Sequence, residues 1–190
     1  CIRDSIYPWL REHFAPRLDD VSLEDFYRMI NKAQPSLIRT EADELTYCLH
    51  IMVRYELERR MFAGELTAHD LPAEWNRLYK AYLGVDVPND REGILQDSHW
   101  ANGNIGYFPS YAIGSAYGAQ YLRQMQKDFD VSAAVATGRL TQINCWLEEK
   151  IWKYGCMKDP TPLFESVCGP FDPTCYTAYL RDKFTEVYGL

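Results

Sequence analysis

The segment from Gly93 to Gln120 reads GILQDSHWANGNIGYFPSYAIGSAYGAQ and holds the densest group of chemically capable residues in the chain. An acid and an imidazole stand two apart, Asp97 and His99, and the indole of Trp100 follows. Three phenols and five glycines accompany them (Tyr107, Tyr111, Tyr117; Gly93, Gly103, Gly106, Gly114, Gly118). Glycine lets a backbone approach another backbone or a ligand closely, which favours a pocket wall. A structural Asp-X-His hydrogen bond and tight helix packing would give the same pattern, so composition leaves both interpretations open.

The whole chain has 190 residues and a formal net charge of −7. Its length suits one domain, so we expect a single helical domain over 1–190. The negative charge and the lack of a basic stripe argue against nucleic acid as a partner. No apolar run approaches the roughly 18 residues of a membrane span. The first residues lack a signal-peptide pattern and the six cysteines form no C-x-x-C, which favours a reducing, cytoplasmic location.

The hydrophobic periodicity predicts an almost entirely α-helical fold, with one short loop or extended segment around 93–106. Ser22 is expected to cap a helix through Asp25. In the helix that ends near Ala63, an apolar face is predicted from Leu45, Cys48, Leu49, Met52 and either Tyr55 or Glu56. Cys48 and Cys145 are interpreted as small buried hydrophobes. Helices are expected over 2–15, 23–31, 37 or 43–63, 67–82, 109–129, 131–136, 140–153, 163–167 and 173–188. In the helix over 109–129, a close-packing face is expected from Gly114, Ala116, Gly118 and Ala119.

Arg39 lies in the hexapeptide Ile38–Asp43, IRTEAD, and admits two interpretations. It can pair with Asp43, four residues on, as a surface ion pair. Alternatively, its guanidinium can bind a substrate carboxylate through two parallel hydrogen bonds. His99 is the candidate histidine, because Asp97 could fix its tautomer while the other ring nitrogen faces a ligand.

Metal-binding and nucleophile motifs are missing from the sequence. It contains no H-E-x-x-H, P-loop, nucleophile elbow or dinucleotide fingerprint. The four histidines are His13, His50, His69 and His99, and no two of them stand three or four residues apart. We therefore expect no self-contained zinc site on this chain.

Two stretches resemble signature motifs of the carboxypeptidase Taq family of zinc metallocarboxypeptidases. IRTEAD (38–43) is similar to I-R-x-x-A-D, and GILQDSHW (93–100) matches G-x-x-Q-D-x-H-W. The segment GYFPSY (106–111) and the ending TEVYGL (185–190) also look like that family. The resemblance covers essentially all 190 residues in order, and it implies an all-α metallocarboxypeptidase.

The resemblance implies roles for individual residues. Arg39 would bind the C-terminal carboxylate of a peptide, and His99 would donate a hydrogen bond near the scissile carbonyl. Gln96 and Asp97 would orient His99, and Asp43 would position Arg39. Tyr107 or Tyr111 could stabilise the tetrahedral oxyanion, and the sequence does not rank them. No metal ligand is assigned on this chain.

The sequence departs from the family at the metal. The family's zinc site uses H-E-x-x-H and a downstream glutamate, which precede I-R-x-x-A-D there and do not occur here. The chain therefore resembles the C-terminal part of such an enzyme, inactive alone, whose parent would hold zinc or cobalt and form a homodimer. Two alternatives are a non-catalytic helical module that binds peptides or acts as a scaffold, and a divergent metal enzyme that uses Asp97 and His99 as ligands.

Overall fold

The computed structural model describes residues 6–190, and within this range the chain is helical and contains no strand. The all-α prediction is confirmed. The α-helices are α1 (Tyr7–His13), α2 (Leu23–Ile30), α3 (Tyr47–Phe62), α4 (Leu71–Leu83), α5 (Pro109–Asp128), α6 (Val131–Ala136), α7 (Leu140–Lys150), α8 (Pro160–Cys168) and α9 (Thr174–Tyr188), with 3₁₀ helices at Arg39–Glu41 and Trp152–Met157.

The chain divides into two compact units, one formed by residues 31–115 and the other by the segments before and after it. The 31–115 unit is built on α3 and α4. Its core buries the side chains of Val53, Leu57, Trp75, Leu78, Tyr79 and Leu83. α4 has Pro72 in its first turn and ends at Gly84, whose φ of 71° is a left-handed conformation that glycine adopts without strain.

The second unit consists of residues 6–30 and 116–190 as far as the structure describes them. Met125, Val131 and Trp146 form its buried cluster, against which Ile143, Leu147 and Ile151 pack. The ring of Tyr117 stacks on Phe164 with centroids 3.8 Å apart. In α2 the predicted cap is confirmed, because Ser22 Oγ accepts a hydrogen bond from the Asp25 amide at 3.0 Å.

The segment between α4 and α5 is a succession of turns without a strand, in agreement with the loop predicted around 93–106. Several helix boundaries differ from prediction. Pro160 begins α8 three residues early, and a 3₁₀ helix replaces the last turn expected for α7. The start of the first predicted helix, residues 2–5, lies outside the described residues.

Three packing predictions fail. A Cβ added at Gly114 or Gly118 meets no atom within 4 Å, so these glycines do not form a close-packing face. Cys145 is exposed rather than buried. Leu45, which precedes α3, and Met52 on α3 are exposed. The buried residues of α3 are the apolar Ile51, Val53 and Leu57 together with the polar His50, Arg54 and Glu58. The polar residues are buried there because His50 contacts α4, and Arg54 and Glu58 hydrogen-bond to side chains of the loop that follows α4.

Candidate functional site

Asp97 lies at the centre of a buried ionic cluster and pairs with two arginines at once. Arg39 donates to its Oδ1 from Nε at 3.0 Å and from Nη2 at 2.7 Å. Arg54 donates to its Oδ2 from Nε at 2.7 Å. Burial alone would raise the pKa of Asp97, but the hydrogen bonds and charges of Arg39 and Arg54 outweigh burial and hold that pKa below its usual value.

Arg39 begins the short 3₁₀ helix and is only 7% exposed. Its Nη1 donates to Tyr47 Oη at 3.1 Å. Its guanidinium also lies over the rings of Phe108 and Tyr111, at 5.7 and 5.1 Å from their centroids. The partner of Arg39 is therefore Asp97, 58 residues away in sequence, and the local pair with Asp43 does not form.

Asp43 has a different structural role. Its carboxylate accepts hydrogen bonds from the backbone amides of Gln34, Leu45 and Thr46 and from the Thr46 hydroxyl, at 2.8–3.0 Å. These bonds satisfy amides ahead of α3 and fix the turn that follows the 3₁₀ helix. Asp43 thus organises the entry into α3 and makes no ion pair with Arg39.

Gln96 joins the loop to the segment that carries Arg39. Its Oε1 accepts from the Arg39 backbone amide at 2.9 Å and from Arg54 Nη2 at 3.0 Å. Its Nε2 donates to the Leu37 carbonyl at 3.0 Å. A side-chain amide can do this because it carries both an acceptor and two donors. Gln96 therefore fixes the position of the backbone beneath Arg39 rather than orienting His99.

His99 lies among aromatic rings beside this cluster. Its ring centroid is 4.5 Å from that of Phe108, and its Nε2 lies 3.1 Å from Tyr111 Oη. Its Nδ1 is 3.8 Å from Asp97 Oδ1, too long for a hydrogen bond, and no described group hydrogen-bonds to it. Tyr107 stacks on His99 at 5.8 Å but is half exposed. The structure thus places Tyr111, and not Tyr107, in hydrogen-bond contact with His99.

Trp100, the last residue of the 93–100 motif, anchors the loop to α3. Its indole N–H donates to Glu58 Oε1 at 2.7 Å, and its ring packs edge-on against Trp75 and Phe108. Gly93, the first residue of the same motif, lies where a Cβ would come within 2.8 Å of Val87 Cγ1 and 3.1 Å of the Asn89 carbonyl oxygen. Both ends of the motif are therefore required for packing, and its middle carries the polar groups.

The sequence matches a known family over almost its whole length. A family model described as Carboxypeptidase Taq (M32) metallopeptidase covers residues 3–184. The chain belongs to the carboxypeptidase Taq family. The resemblance inferred from the two motifs is thereby confirmed.

Two relatives in the carboxypeptidase Taq family have similar sequences. Carboxypeptidase 1 of Bacillus subtilis is 43% identical over 184 residues, which is 96% of this chain and 37% of that protein. Thermostable carboxypeptidase 1 of Thermus thermophilus is 41% identical over 98% of this chain and 37% of that protein. The chain thus spans about 37% of the length of these relatives and corresponds to their C-terminal part.

A solved structure of the family has the same fold. The crystal structure of the M32 carboxypeptidase from Deinococcus radiodurans matches all of this chain and 39% of that one, with a TM-score of 0.95 at 37% identity. The two chains therefore share both the fold and a family-level sequence similarity.

Membership in a metallopeptidase family implies a divalent metal. The donor side chains of this chain determine whether it could hold that metal. Between Ile6 and Leu190 no group of three or more His, Cys, Asp or Glu side chains is placed to do so. Both oxygens of Asp97 are occupied by arginines, which leaves His99 as a single candidate ligand. The described residues do not fit a metal on their own.

Four residues that the structure places in this site were not assigned from the sequence: Tyr47, His50, Arg54 and Tyr79. His50, Arg54 and Glu58 stand four residues apart on α3, and a polar series with helical spacing could have shown that this face meets polar partners. The prediction followed the spacing of the apolar residues of the helix and therefore did not include this polar series. Tyr47 and Tyr79 carry no sequence signal, because tyrosines are common in ordinary helix packing.

Proposed function

We propose that this chain forms the substrate-binding side of the active-site groove in a metallocarboxypeptidase that removes C-terminal residues from peptides. One observation carries the proposal: the guanidinium of Arg39 shares its only acidic partner among the described residues, Asp97, with a second arginine.

The cluster has more positive than negative charge. Arg39 and Arg54 are cations and Asp97 is the single anion bound to either of them between Ile6 and Leu190. A guanidinium has five N–H donors, and three of those of Arg39 are used by Asp97 and Tyr47. One N–H remains on each terminal nitrogen. Two such donors suit a carboxylate, and a peptide C-terminus would neutralise the excess charge.

His99 and Tyr111 would together supply one hydrogen-bond donor near the scissile bond. A neutral imidazole has one N–H and a phenol has one O–H, and the contact between Nε2 and Oη uses one of these two protons. If His99 donates to Tyr111, the phenol proton is left for an oxyanion on the substrate. Such a donor contributes a few kcal/mol to transition-state stabilisation. Asp97 and Gln96 would act as positioning residues for Arg39.

The metal of the parent enzyme would be zinc or cobalt, held by ligands that this sequence does not contain. When bound, it would supply the activated water and polarise the peptide carbonyl. The chain alone would therefore be inactive. We further propose a cytoplasmic enzyme that forms a homodimer, and an arrangement of 1–190 as one domain within the larger catalytic structure.

The experiment is an NMR titration of the ¹⁵N-labelled chain with N-acetyl-dialanine and with its C-terminal amide. The acid is expected to shift the signals of Arg39 and Tyr111 and the amide is not, because only the acid carries a carboxylate. Arg39→Met should abolish the preference for the acid. Arg77→Met is the matched control, since Arg77 is an exposed arginine paired with Glu74 in the same unit.

Equal binding of acid and amide by the unsubstituted chain would refute the carboxylate clamp and favour a non-catalytic peptide-binding module. Elemental analysis after dialysis against zinc and then metal-free buffer tests the assignment of the metal. Metal close to zero per chain is expected. Tightly held stoichiometric zinc would show that His99 and partners form a site of their own.

A further inference from the structure

We propose that Arg54 is a positioning residue that keeps Arg39 available to a carboxylate, by occupying one oxygen of Asp97. This inference rests on the proposed function of Arg39. Without Arg54, Asp97 could turn both oxygens to Arg39 and form the usual two-pronged pair, which would neutralise the clamp.

The geometry of the two contacts differs in the way this inference requires. Arg39 reaches Asp97 through two nitrogens, but both donate to the same oxygen, Oδ1. Arg54 holds the other oxygen, Oδ2, with Nε at 2.7 Å and Nη2 at 2.5 Å. Arginine and carboxylate ordinarily pair with two parallel bonds to two oxygens. Arg54 prevents that arrangement for Arg39.

Arg54 is held too firmly to release Asp97. Its side chain is fully buried on α3. Its Nη1 donates to the His50 carbonyl at 2.7 Å, one turn earlier, and lies 3.3 Å from Tyr79 Oη. Its guanidinium also lies 4.6 Å from the ring centroid of Trp75. These contacts fix the charge of Arg54 independently of Asp97.

His50, which lies next to Arg54, does not change the net charge of the cluster. Burial first, and then the charges of Arg54 and Arg39, lower its pKa to about 4, while Asp43 and Asp97 act in the opposite direction. His50 is therefore neutral near pH 7 and adds no charge to the cluster. The two arginines and Asp97 then leave one positive charge, and Arg39 is the arginine with unused N–H donors next to His99 and Tyr111.

The test is the affinity for N-acetyl-dialanine of three variants of the full chain, measured by NMR titration. Arg54→Gln should weaken binding about 10- to 100-fold, the range of hydrogen bonds to charged groups. Arg54→Gln combined with Asp97→Asn should bind more tightly than the single variant, because Arg39 regains an uncompensated charge. Arg54→Lys keeps the charge but loses the paired donors on Asp97 and the contact with Trp75, so its affinity should lie between those of Arg54→Gln and the unsubstituted chain.

A merely structural role for Arg54 gives the opposite order, since removing two members of a buried network should harm binding more than removing one. Unchanged affinity in Arg54→Gln, or weaker binding in the double variant, would overturn the inference. Arg60→Gln is the matched control, because it breaks an ion pair with Glu74 in the same unit, away from Asp97. If Arg54→Gln is unfolded by circular dichroism, Arg54→Lys is compared with and without Asp97→Asn, and weaker binding in that double variant would overturn the inference.

The inference and the proposed function fail in different ways. If the unsubstituted chain does not distinguish acid from amide, the proposed function is wrong. A crystal structure of Arg54→Gln then tests the inference by itself. Both oxygens of Asp97 on Arg39 would support it, and contact through Oδ1 alone would refute it.

Discussion

At the scale of single residues, the site depends on how one carboxylate is divided between two cations. Asp97 is about 10% exposed, and breaking a buried pair by removing one partner leaves an uncompensated charge. Arg39 illustrates the balance: burial lowers its pKa, but its hydrogen bond and charge contact with Asp97 outweigh burial and raise it. Arg39 is therefore charged at neutral pH.

His50 gives the chain a dependence of stability on pH. It is fully buried, its Nδ1 is 3.1 Å from Tyr79 Oη, and its folded pKa is about 4 against 6.5 for an ordinary histidine. Because the histidine binds a proton more tightly in the unfolded chain, its contribution to the free energy of unfolding is fully present above pH 6.5. It is lost as pH falls from 6.5 towards 4, by up to about 3 kcal/mol.

Urea unfolding at pH 7 and pH 5 measures this loss. His50→Gln should reduce the difference between the two pH values, because it removes the group that must be neutral. His69→Gln serves as control, since His69 is exposed. An equal pH dependence in His50→Gln and the unsubstituted chain would contradict the prediction.

Tyr111 and Tyr107 should differ in their effect on His99. Tyr111→Phe removes the partner of His99 Nε2 and is expected to change the ring ¹⁵N shifts of His99, which report its tautomer. Tyr107→Phe keeps the ring that stacks on His99 and should leave those shifts nearly unchanged. Similar shifts in both variants would show that the phenol of Tyr111 does not set the tautomer.

At the scale of elements, α3 combines packing and recognition on one face. Val53 and Leu57 pack against α4, while His50, Arg54 and Glu58 on neighbouring turns bind α4 and the loop that follows it. Because the loop has no regular secondary structure of its own, its hydrogen bonds to these side chains hold it in place. The 93–100 motif is therefore held from both ends, by packing at Gly93 and by the Trp100 hydrogen bond.

Two glycine substitutions should have opposite effects on stability. Gly93→Ala places a Cβ against Val87 and the Asn89 carbonyl and should destabilise the chain by about 1–3 kcal/mol. Gly118→Ala lies in the interior of α5 with nothing within 4 Å and should stabilise it by roughly 0.5–1 kcal/mol. Thermal unfolding of the two variants checks both signs. Stabilisation by Gly93→Ala would mean that the loop has room to move.

At the scale of the whole molecule, the question is whether the two units unfold together. α5 is continuous across residues 115 and 116, where one unit ends and the other resumes. We therefore expect one cooperative transition. None of the helices between Ile6 and Leu190 is long and apolar enough to cross a membrane.

Core substitutions in each unit test this expectation. Leu57→Ala and Phe164→Ala each remove a fully buried side chain and should cost about 2–5 kcal/mol. In hydrogen exchange under native conditions, each substitution should lower the protection of the most stable amides in both units. Loss of protection confined to the substituted unit would show that the units unfold independently.

Local sequence determined most of the helices and the family of this chain. Periodicity, the Ser22 cap and the stop at Gly84 act within a few residues, and the two motifs identify the family because their spacing is fixed. Only the tertiary structure decided which groups meet: Arg39 with Asp97 rather than Asp43, Arg54 on the second oxygen, and Tyr111 rather than Tyr107 on His99. The physical reason is distance along the chain, since these contacts join residues 12 to 58 positions apart. Which partner a buried charged group meets therefore depends on the packing of segments that are distant in sequence.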